Sequence, residues 1–269
     1  MFHSLTRILL FIALVGGGSI SAHADNSFSA NVGGVSDYLF RGISQTWGRP
    51  AIQGGGDATW DNGFAAGFWV SSLGHEEYPG AAAELDLYAS YGAPIDADWS
   101  WRAGLYAYVY PGGDLDKARP SLSSRSFDTA EVNASITWKW LTAKINRSVG
   151  DYFAIDREQG FRSDSHGTRY MQLDAAIPLG ARWTVLLHGG HTYIPTLLSS
   201  PTGFGARDAS YSDFCVSAKR QLTAQWTASV GVSRANNDVF YGHLASFLNP
   251  NDLQDVGGTR GFLQVQGTF

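Results

Sequence analysis

A histidine and a serine in neighbouring segments of the chain have the side chains that an acyl hydrolase uses. His191 and Ser212 each fall at the same alternate positions as the apolar residues of their own segments. If Trp183 pairs with Arg220 across the connection between the segments, His191 lies opposite Ser212. A histidine beside a serine can activate the hydroxyl as a nucleophile. No carboxylate on that face is evident to orient the imidazole, so a lipid-facing hydrolase is an alternative hypothesis rather than the main one.

A second set of residues carries charge or a phenol on the polar side of the alternating segments. In a closed barrel this side faces the lumen and decides which solutes pass. We expect Glu84 and Asp86 to face Arg102, either as a selectivity element or as a structural ion pair. Four tyrosines also point inward and either form a stacking track for a solute or fill the lumen. They are Tyr88, Tyr106, Tyr108 and Tyr110. The candidate pore-lining residues are Asp57, Glu84, Asp86, Arg102, Tyr106, Tyr108, Glu131, Lys144, Asp174 and Lys219.

Other chemical signatures are missing from the sequence. There is no nucleophile elbow, no Walker loop, no dinucleotide glycine pattern and no zinc-protease helix motif. His188 and His191 are three residues apart on a strand, so they point to opposite faces and do not share a metal ion. We therefore expect no catalytic residues, no cofactor and no metal. The net charge of −5 argues against nucleic-acid binding.

Twelve segments of alternating polarity position these side chains, and each has close to the length that a tilted strand needs to cross a bilayer. The connections after even-numbered segments are short and those after odd-numbered segments are long, the longest covering about residues 235–259. This alternation predicts an up-and-down barrel with short periplasmic turns and long extracellular loops. The predicted strands are Ser27–Val35, Ala51–Trp60, Phe64–Ser72, Ala83–Gly92, Trp99–Tyr110, Phe127–Trp138, Leu141–Val149, Thr168–Pro178, Trp183–Tyr193, Tyr211–Arg220, Gln225–Arg234 and a last strand that ends at Phe269.

The tryptophans give independent support for a barrel in a membrane. Seven of the nine lie in or beside a predicted short turn, and only Trp47 and Trp69 do not. Indole rings favour the boundary between hydrocarbon and headgroups, so the seven predict an aromatic girdle at one end of the barrel. The seven are Trp60, Trp99, Trp101, Trp138, Trp140, Trp183 and Trp226.

The two ends of the chain predict export and assembly. Arg7, a short apolar run from Ile8 to Val15 and the sequence Ala22-His23-Ala24 predict a signal peptide over residues 1–24. A strand that ends on the aromatic Phe269 is typical of a barrel that carries a C-terminal assembly signal. Thirty-two glycines and only 16% charged residues are unusual for a solvated sandwich, and the single cysteine has no partner for an internal disulfide.

The sequence also resembles a known family of outer-membrane proteins. Gly34 to Gln45, which reads GVSDYLFRGISQ, and Ala51 to Gly55 resemble the opening of the TorF-type porin family of proteobacteria. Asp151 to Phe153 and Tyr211 to Asp213 resemble later landmarks of that family. The resemblance implies an outer-membrane, porin-like protein and brings no substrate or catalytic residue with it.

These observations predict an all-β transmembrane barrel over residues 25–269, in the bacterial outer membrane, that acts as a passive channel for small hydrophilic solutes. Its expected partners are outer-membrane lipids and the barrel-assembly machinery. Asp37 and Arg41 fall in the first extracellular loop, where they either tie the loop down or line the mouth. Besides the hydrolase, a plugged barrel with a structural or adhesive role stays open.

Overall fold

Residues 26–199 and 206–269 are described by a computed structural model, and they form one closed antiparallel barrel of twelve strands. The predicted signal peptide, residues 1–24, lies outside the described residues. Within them, no helix is long and apolar enough to cross a membrane. The barrel strands are β1 Ser27–Val35, β2 Ala51–Thr59, β3 Phe64–Ser72, β4 Ala83–Pro94, β5 Trp99–Val109, β6 Thr129–Trp138, β7 Leu141–Ser148, β8 Arg169–Leu179, β9 Trp183–Tyr193, β10 Tyr211–Gln221, β11 Trp226–Ala235 and β12 Arg260–Thr268.

The predicted fold class is confirmed. Each strand pairs with its neighbours along the chain, and β12 pairs with β1 from Asn31 opposite Thr268 to Val35 opposite Gln264, which closes the sheet. Closure leaves no edge strand with unpaired backbone groups, as the hydrocarbon of a membrane requires. All short connections lie at one end, here called the turn end, and all long connections lie at the other, the loop end.

Apolar side chains cover the outside of the barrel, and polar ones face its interior. Leu105, Val216 and Leu263 are 60%, 58% and 63% exposed, whereas the alternate Glu84 and Glu131 are 1% exposed. A soluble protein places these residue types the other way round. The arrangement is that of a barrel whose outer surface is solvated by lipid.

The predicted aromatic girdle is confirmed at the turn end. All seven tryptophans named above are exposed there, between 36% and 44%. Trp47 is buried under the loops, and Trp69 packs against the interior aromatic residues.

The described parts of the long connections fold back over the loop end, and residues from them pack inside it. Three contain small two-stranded sheets: Leu39–Phe40 with Ile43–Ser44, Leu197–Leu198 with Arg207–Asp208, and Leu244–Ala245 with Leu253–Gln254. Short helical turns occur at Leu115–Lys117, Arg157–Gln159 and Asp238–Tyr241. An aromatic cluster that includes Tyr38, Phe40, Tyr110 and Phe127 packs these connections onto the wall.

Phe269 completes the seam between the first and last strands, so its removal should weaken the closed barrel. Its backbone N–H donates to Ala30 O at 2.9 Å and its carbonyl accepts from Ala30 N at 3.0 Å. Its ring packs edge-on against Trp226, 6.1 Å between centroids. We expect Phe269→Ala to lower the free energy of unfolding by about 1 kcal/mol. The heat-dependent gel migration of the refolded barrel would show a smaller folded fraction.

Leu222→Ala is the matched control, because Leu222 is an exposed apolar residue in a turn at the same end. Equal folded fractions for the two variants would contradict a role of Phe269 in closing the seam.

Candidate functional site

The first long connection, residues 36–50 and here called loop 1, carries a two-residue hairpin into the barrel. Phe40 pairs with Ile43, and the two residues between them, Arg41 and Gly42, have φ angles of 49° and 77°. Positive φ at both central positions is the backbone of a type I′ turn. A Cβ on Gly42 would lie 2.7 Å from the Asp213 Cβ, so the tip reaches the wall at β10 and only glycine fits there.

Arg41, at the tip of this hairpin, forms a bidentate ion pair with Glu131 of β6. Its Nη1 donates to Glu131 Oε1 at 3.0 Å, and its Nη2 donates to Oε2 at 2.7 Å. The two side chains are only 6% and 0% exposed. Parallel hydrogen bonds between a guanidinium and a carboxylate are strong and directional, so this pair fixes the position of loop 1 inside the lumen.

Aromatic side chains surround the Arg41 guanidinium. The guanidinium carbon lies 4.1 Å from the Tyr170 ring centroid and 4.7 Å from that of Phe40. Its Nη1 also donates to the Tyr152 hydroxyl at 3.1 Å. Burial raises the pKa of Tyr152 to about 12. The phenol therefore stays neutral, and Glu131 supplies the countercharge of Arg41.

Asp37 anchors the start of loop 1 to the last strand. Its Oδ2 accepts from Arg260 Nη1 of β12 at 2.7 Å, and its Oδ1 accepts from Ser44 Oγ at 2.6 Å. Asp37 and Arg41 were expected either to tie loop 1 down or to line the mouth of the barrel. Their contacts are those of residues that tie the loop down. Arg41 does so from inside the barrel rather than at its mouth.

Next to Arg41 lies His188, which faces the lumen but is not among the predicted pore-lining residues. Nδ1 of His188 is 2.5 Å from Asp174 Oδ1, and its Nε2 is 2.8 Å from Asp213 Oδ2. Because each ring nitrogen faces a carboxylate, the ring donates from both and carries a positive charge. The Tyr170 hydroxyl lies 2.8 Å from Nε2 and closes the cluster.

The alternation along β9 places His188 inward, and this signal could have found it. What alternation does not show is the glycine that makes room for the cluster. A Cβ on Gly190 would lie 2.2 Å from the Tyr170 hydroxyl oxygen.

A cavity of about 110 Å³ lies in the lumen against loop 1. This volume is enough for several water molecules. Charged, amide and hydroxyl groups from the wall and the loop line it, together with apolar side chains and the thiol of Cys215. The lining side chains include Arg41, Lys144, Gln172, His188, Asp213 and Cys215.

The expected contact of Glu84 and Asp86 with Arg102 is wrong. In the antiparallel register of β4 and β5, Asp86 lies opposite Tyr108, whereas Arg102 lies opposite Gly92. The strands run in opposite directions from a turn at residues 95–98, so a residue early in β4 meets one late in β5. Arg102 near the turn end donates instead to Ser90 Oγ at 2.7 Å.

Glu84 and Asp86 lie buried beneath the loop-end aromatic cluster. Glu84 accepts from the Tyr110 hydroxyl at 2.9 Å. Neither carboxylate oxygen of Asp86 has a hydrogen-bond partner among the described residues. Neither Glu84 nor Asp86 forms a salt bridge with another described residue.

The other candidate pore-lining residues also face the interior, and their role in selecting solutes stays a prediction. Asp57 accepts from the Tyr88 hydroxyl at 2.7 Å, and the Lys144 Nζ lies 4.7 Å from the Tyr106 ring centroid. Lys219 is 8% exposed on β10. Adjacent tyrosines stack on one another: centroids are 5.2 Å apart for Tyr88 and Tyr106 and 6.1 Å apart for Tyr106 and Tyr108. Tyr108 and Tyr110 are 2% exposed, so these two fill the lumen.

On the outer surface, the predicted register of β9 and β10 is confirmed. Trp183 pairs with Arg220 and His191 pairs with Ser212. The His191 Nδ1 lies 2.9 Å from Ser212 Oγ. Among the described residues, no carboxylate hydrogen-bonds to this imidazole.

Removal of Arg41 should destabilise the protein, because Glu131 would lose its countercharge at a buried position. We expect Arg41→Ala to lower the free energy of unfolding by about 3 kcal/mol, measured by urea titration of the refolded barrel. The double variant Arg41→Ala/Glu131→Gln should lose less, since no uncompensated charge is left.

The matched control is Arg157→Ala, which breaks an exposed ion pair with Asp164 in a loop at the same end. Its cost should stay below about 1 kcal/mol. Equal losses for Arg41→Ala and Arg157→Ala would contradict the buried pair.

Comparison with known proteins places this barrel in a structural class and a family. The structure of the KdgM porin in complex with disordered oligogalacturonate is similar, with a TM-score of 0.52 and 10% identity over 90% of this chain and 99% of that chain. The NanC porin gives a TM-score of 0.51, again with 10% identity over 90% and 99%. At this identity the likeness concerns the fold alone. A search of curated proteins found no match to the sequence. A family model matches residues 19–268, and the chain therefore belongs to Gcw_chp, a family described as bacterial proteins of unknown function.

Proposed function

We propose that the protein is a porin-like channel of the bacterial outer membrane through which small hydrophilic solutes diffuse. The observation that carries this proposal is a closed barrel with an apolar outer band and a charged inner wall that encloses a cavity. Outer-membrane barrels of this topology place short turns in the periplasm and long loops outside.

Several features of the sequence agree with this placement. The predicted signal peptide, residues 1–24, would direct export, and Phe269 would be recognised by the barrel-assembly machinery. The resemblance to TorF-type porins belongs to the same proposal. KdgM and NanC share the fold and are porins. The oligogalacturonate bound to KdgM is a property of that protein, and the mixed charges of the wall here favour no such polyanion.

Loop 1 would be the constriction of this channel. Its hairpin crosses the loop end of the lumen and is held by the Arg41 pair with Glu131 and the Asp37 pair with Arg260. Solutes would enter only as far as this hairpin until it shifts. The ion pair of Arg41 would thus set the conductance as well as the stability.

Conductance of the refolded residues 25–269 in a planar bilayer tests the channel. We expect stepwise currents from the parent protein, and larger steps from Arg41→Ala/Glu131→Gln because the tip of loop 1 is released from the wall. Arg157→Ala should leave the steps unchanged. A folded barrel that stays silent in every variant would contradict the channel and leave a plugged structural or adhesive barrel.

A second candidate, a lipid acyl hydrolase, is favoured by the 2.9 Å contact of His191 with Ser212 on the outer surface. A triad needs a third group that orients the imidazole. The neighbouring Asn236 does not contact the imidazole, because its Oδ1 accepts a hydrogen bond from the Ser212 backbone N–H. We expect the parent protein to release no fatty acid from mixed vesicles. Release that is lost in Ser212→Ala would establish the hydrolase, whereas release that persists would point to a contaminant.

A further inference from the structure

The outward face of the barrel carries very few charged side chains, and all of them are arginines. Across the twelve strands, four outward positions are charged, each near the end of its strand: Arg147, Arg169, Arg220 and Arg234. Two of the four have partners within the protein. Arg220 lies over the Trp183 ring at 5.4 Å, and Arg234 forms an ion pair with Asp238 at 3.1 Å.

The remaining two, Arg147 and Arg169, lie side by side. They are directly opposite each other in the register of β7 and β8, and both are exposed. Among the described residues, neither side chain forms a hydrogen bond or a salt bridge. Like charges at directly opposed positions of a sheet repel each other and destabilise the pair. An anion shared by both guanidinium groups would remove this repulsion.

The height of the pair on the barrel indicates where such an anion would come from. Arg169 is the first and Leu179 the last of the eleven residues of β8. Ten steps of about 3.3 Å along a strand tilted by about 40° rise roughly 25 Å. This matches the height of the apolar band of an outer-membrane barrel. Arg169 therefore lies at the headgroup level of the leaflet on the loop side, with Arg147 beside it on β7.

A tyrosine at the same level agrees with this depth. Tyr193 of β9 is opposite Arg169 in the sheet and is 47% exposed on the outer face. Tyrosine favours the interface because its ring is apolar and its hydroxyl needs a polar partner. One step further into the band, Met171 lies opposite Ile145 of β7 and opposite His191 of β9, so between β7 and β8 the surface changes from charged to apolar within two residues.

We propose that Arg147 and Arg169 form a binding site for the phosphate group of a phosphorylated glycolipid in the outer leaflet. Guanidinium groups bind phosphate through paired hydrogen bonds, and two adjacent arginines offer two such forks to one anion. The site rests on the proposed outer-membrane location, with the loop end outside, and not on conduction. It lies on the lipid face and is separate from the lumen cavity.

Native mass spectrometry of the folded barrel in a neutral detergent, titrated with lipid A, tests this site. Lipid A is a glucosamine disaccharide lipid that carries phosphate groups. We expect the parent protein to retain a lipid A adduct, and Arg147→Gln and Arg169→Gln each to weaken binding roughly tenfold. Lipid A from which the phosphates have been removed should not be retained.

Arg162→Gln is the matched control, because Arg162 is an exposed arginine in the loop between the same two strands. Equal weakening in this variant would overturn the site as general charge attraction. Inorganic phosphate that binds as tightly as lipid A would overturn the lipid as its occupant. Gel migration shows whether each variant is folded before it is titrated.

Conductance of the same variants separates this proposal from the channel. A parent protein that conducts but retains no lipid A would overturn the lipid site alone. A silent barrel that binds lipid A through both arginines would overturn the channel alone.

Discussion

The ion pair of Arg41 with Glu131 is the interaction on which the arrangement of the lumen depends. The pair holds the hairpin of loop 1 inside a closed sheet. The backbone N–H and C=O groups of a buried hairpin need hydrogen-bond partners there. Breaking a buried pair leaves a charge without compensation, so the hairpin and the wall stabilise each other strongly. The aromatic cluster at the loop end packs around the position that this pair fixes. Without the pair, the tip of loop 1 would lose its contact with β6, and the rest of the loop would stay held by Asp37 and by backbone hydrogen bonds such as that of Gly74 N–H with Gln45 O.

The barrel makes such an interaction possible because its two faces meet different solvents. Lipid on the outside removes the need for charge there, and the interior can hold carboxylates and cations that a soluble core of this size would exclude. Several lumen charges then find a local partner, as the His188 cluster with Asp174 and Asp213 shows. Arg147 and Arg169 on the outer face differ from these lumen charges, because neither has a hydrogen-bond or ion-pair partner among the described residues and lipid tails offer none below the headgroups.

Local sequence pattern was enough to predict the strands, the face of each side chain and the register of His191 with Ser212. Period-two alternation and short turns fix all three. The predicted contact of Arg102 with Glu84 and Asp86 was wrong, because alternation along a strand shows which face a residue is on but not its height along the barrel. The inward fold of loop 1 was also out of reach. It depends on contacts between residues about ninety positions apart, such as Arg41 and Glu131, and on Gly42 and Gly190, where the absence of a side chain makes the room.

The most direct test of the account is the reactivity of Cys215, the single cysteine, which lines the cavity beside loop 1. A bulky, membrane-impermeant thiol reagent would be added to intact cells that display the barrel, so that it reaches the protein from the loop side only. If loop 1 closes that end, labelling of the parent protein is slow, and labelling of Arg41→Ala/Glu131→Gln is much faster. Rapid labelling of the parent at the rate of the double variant would show that the lumen is open past loop 1, and would contradict the account.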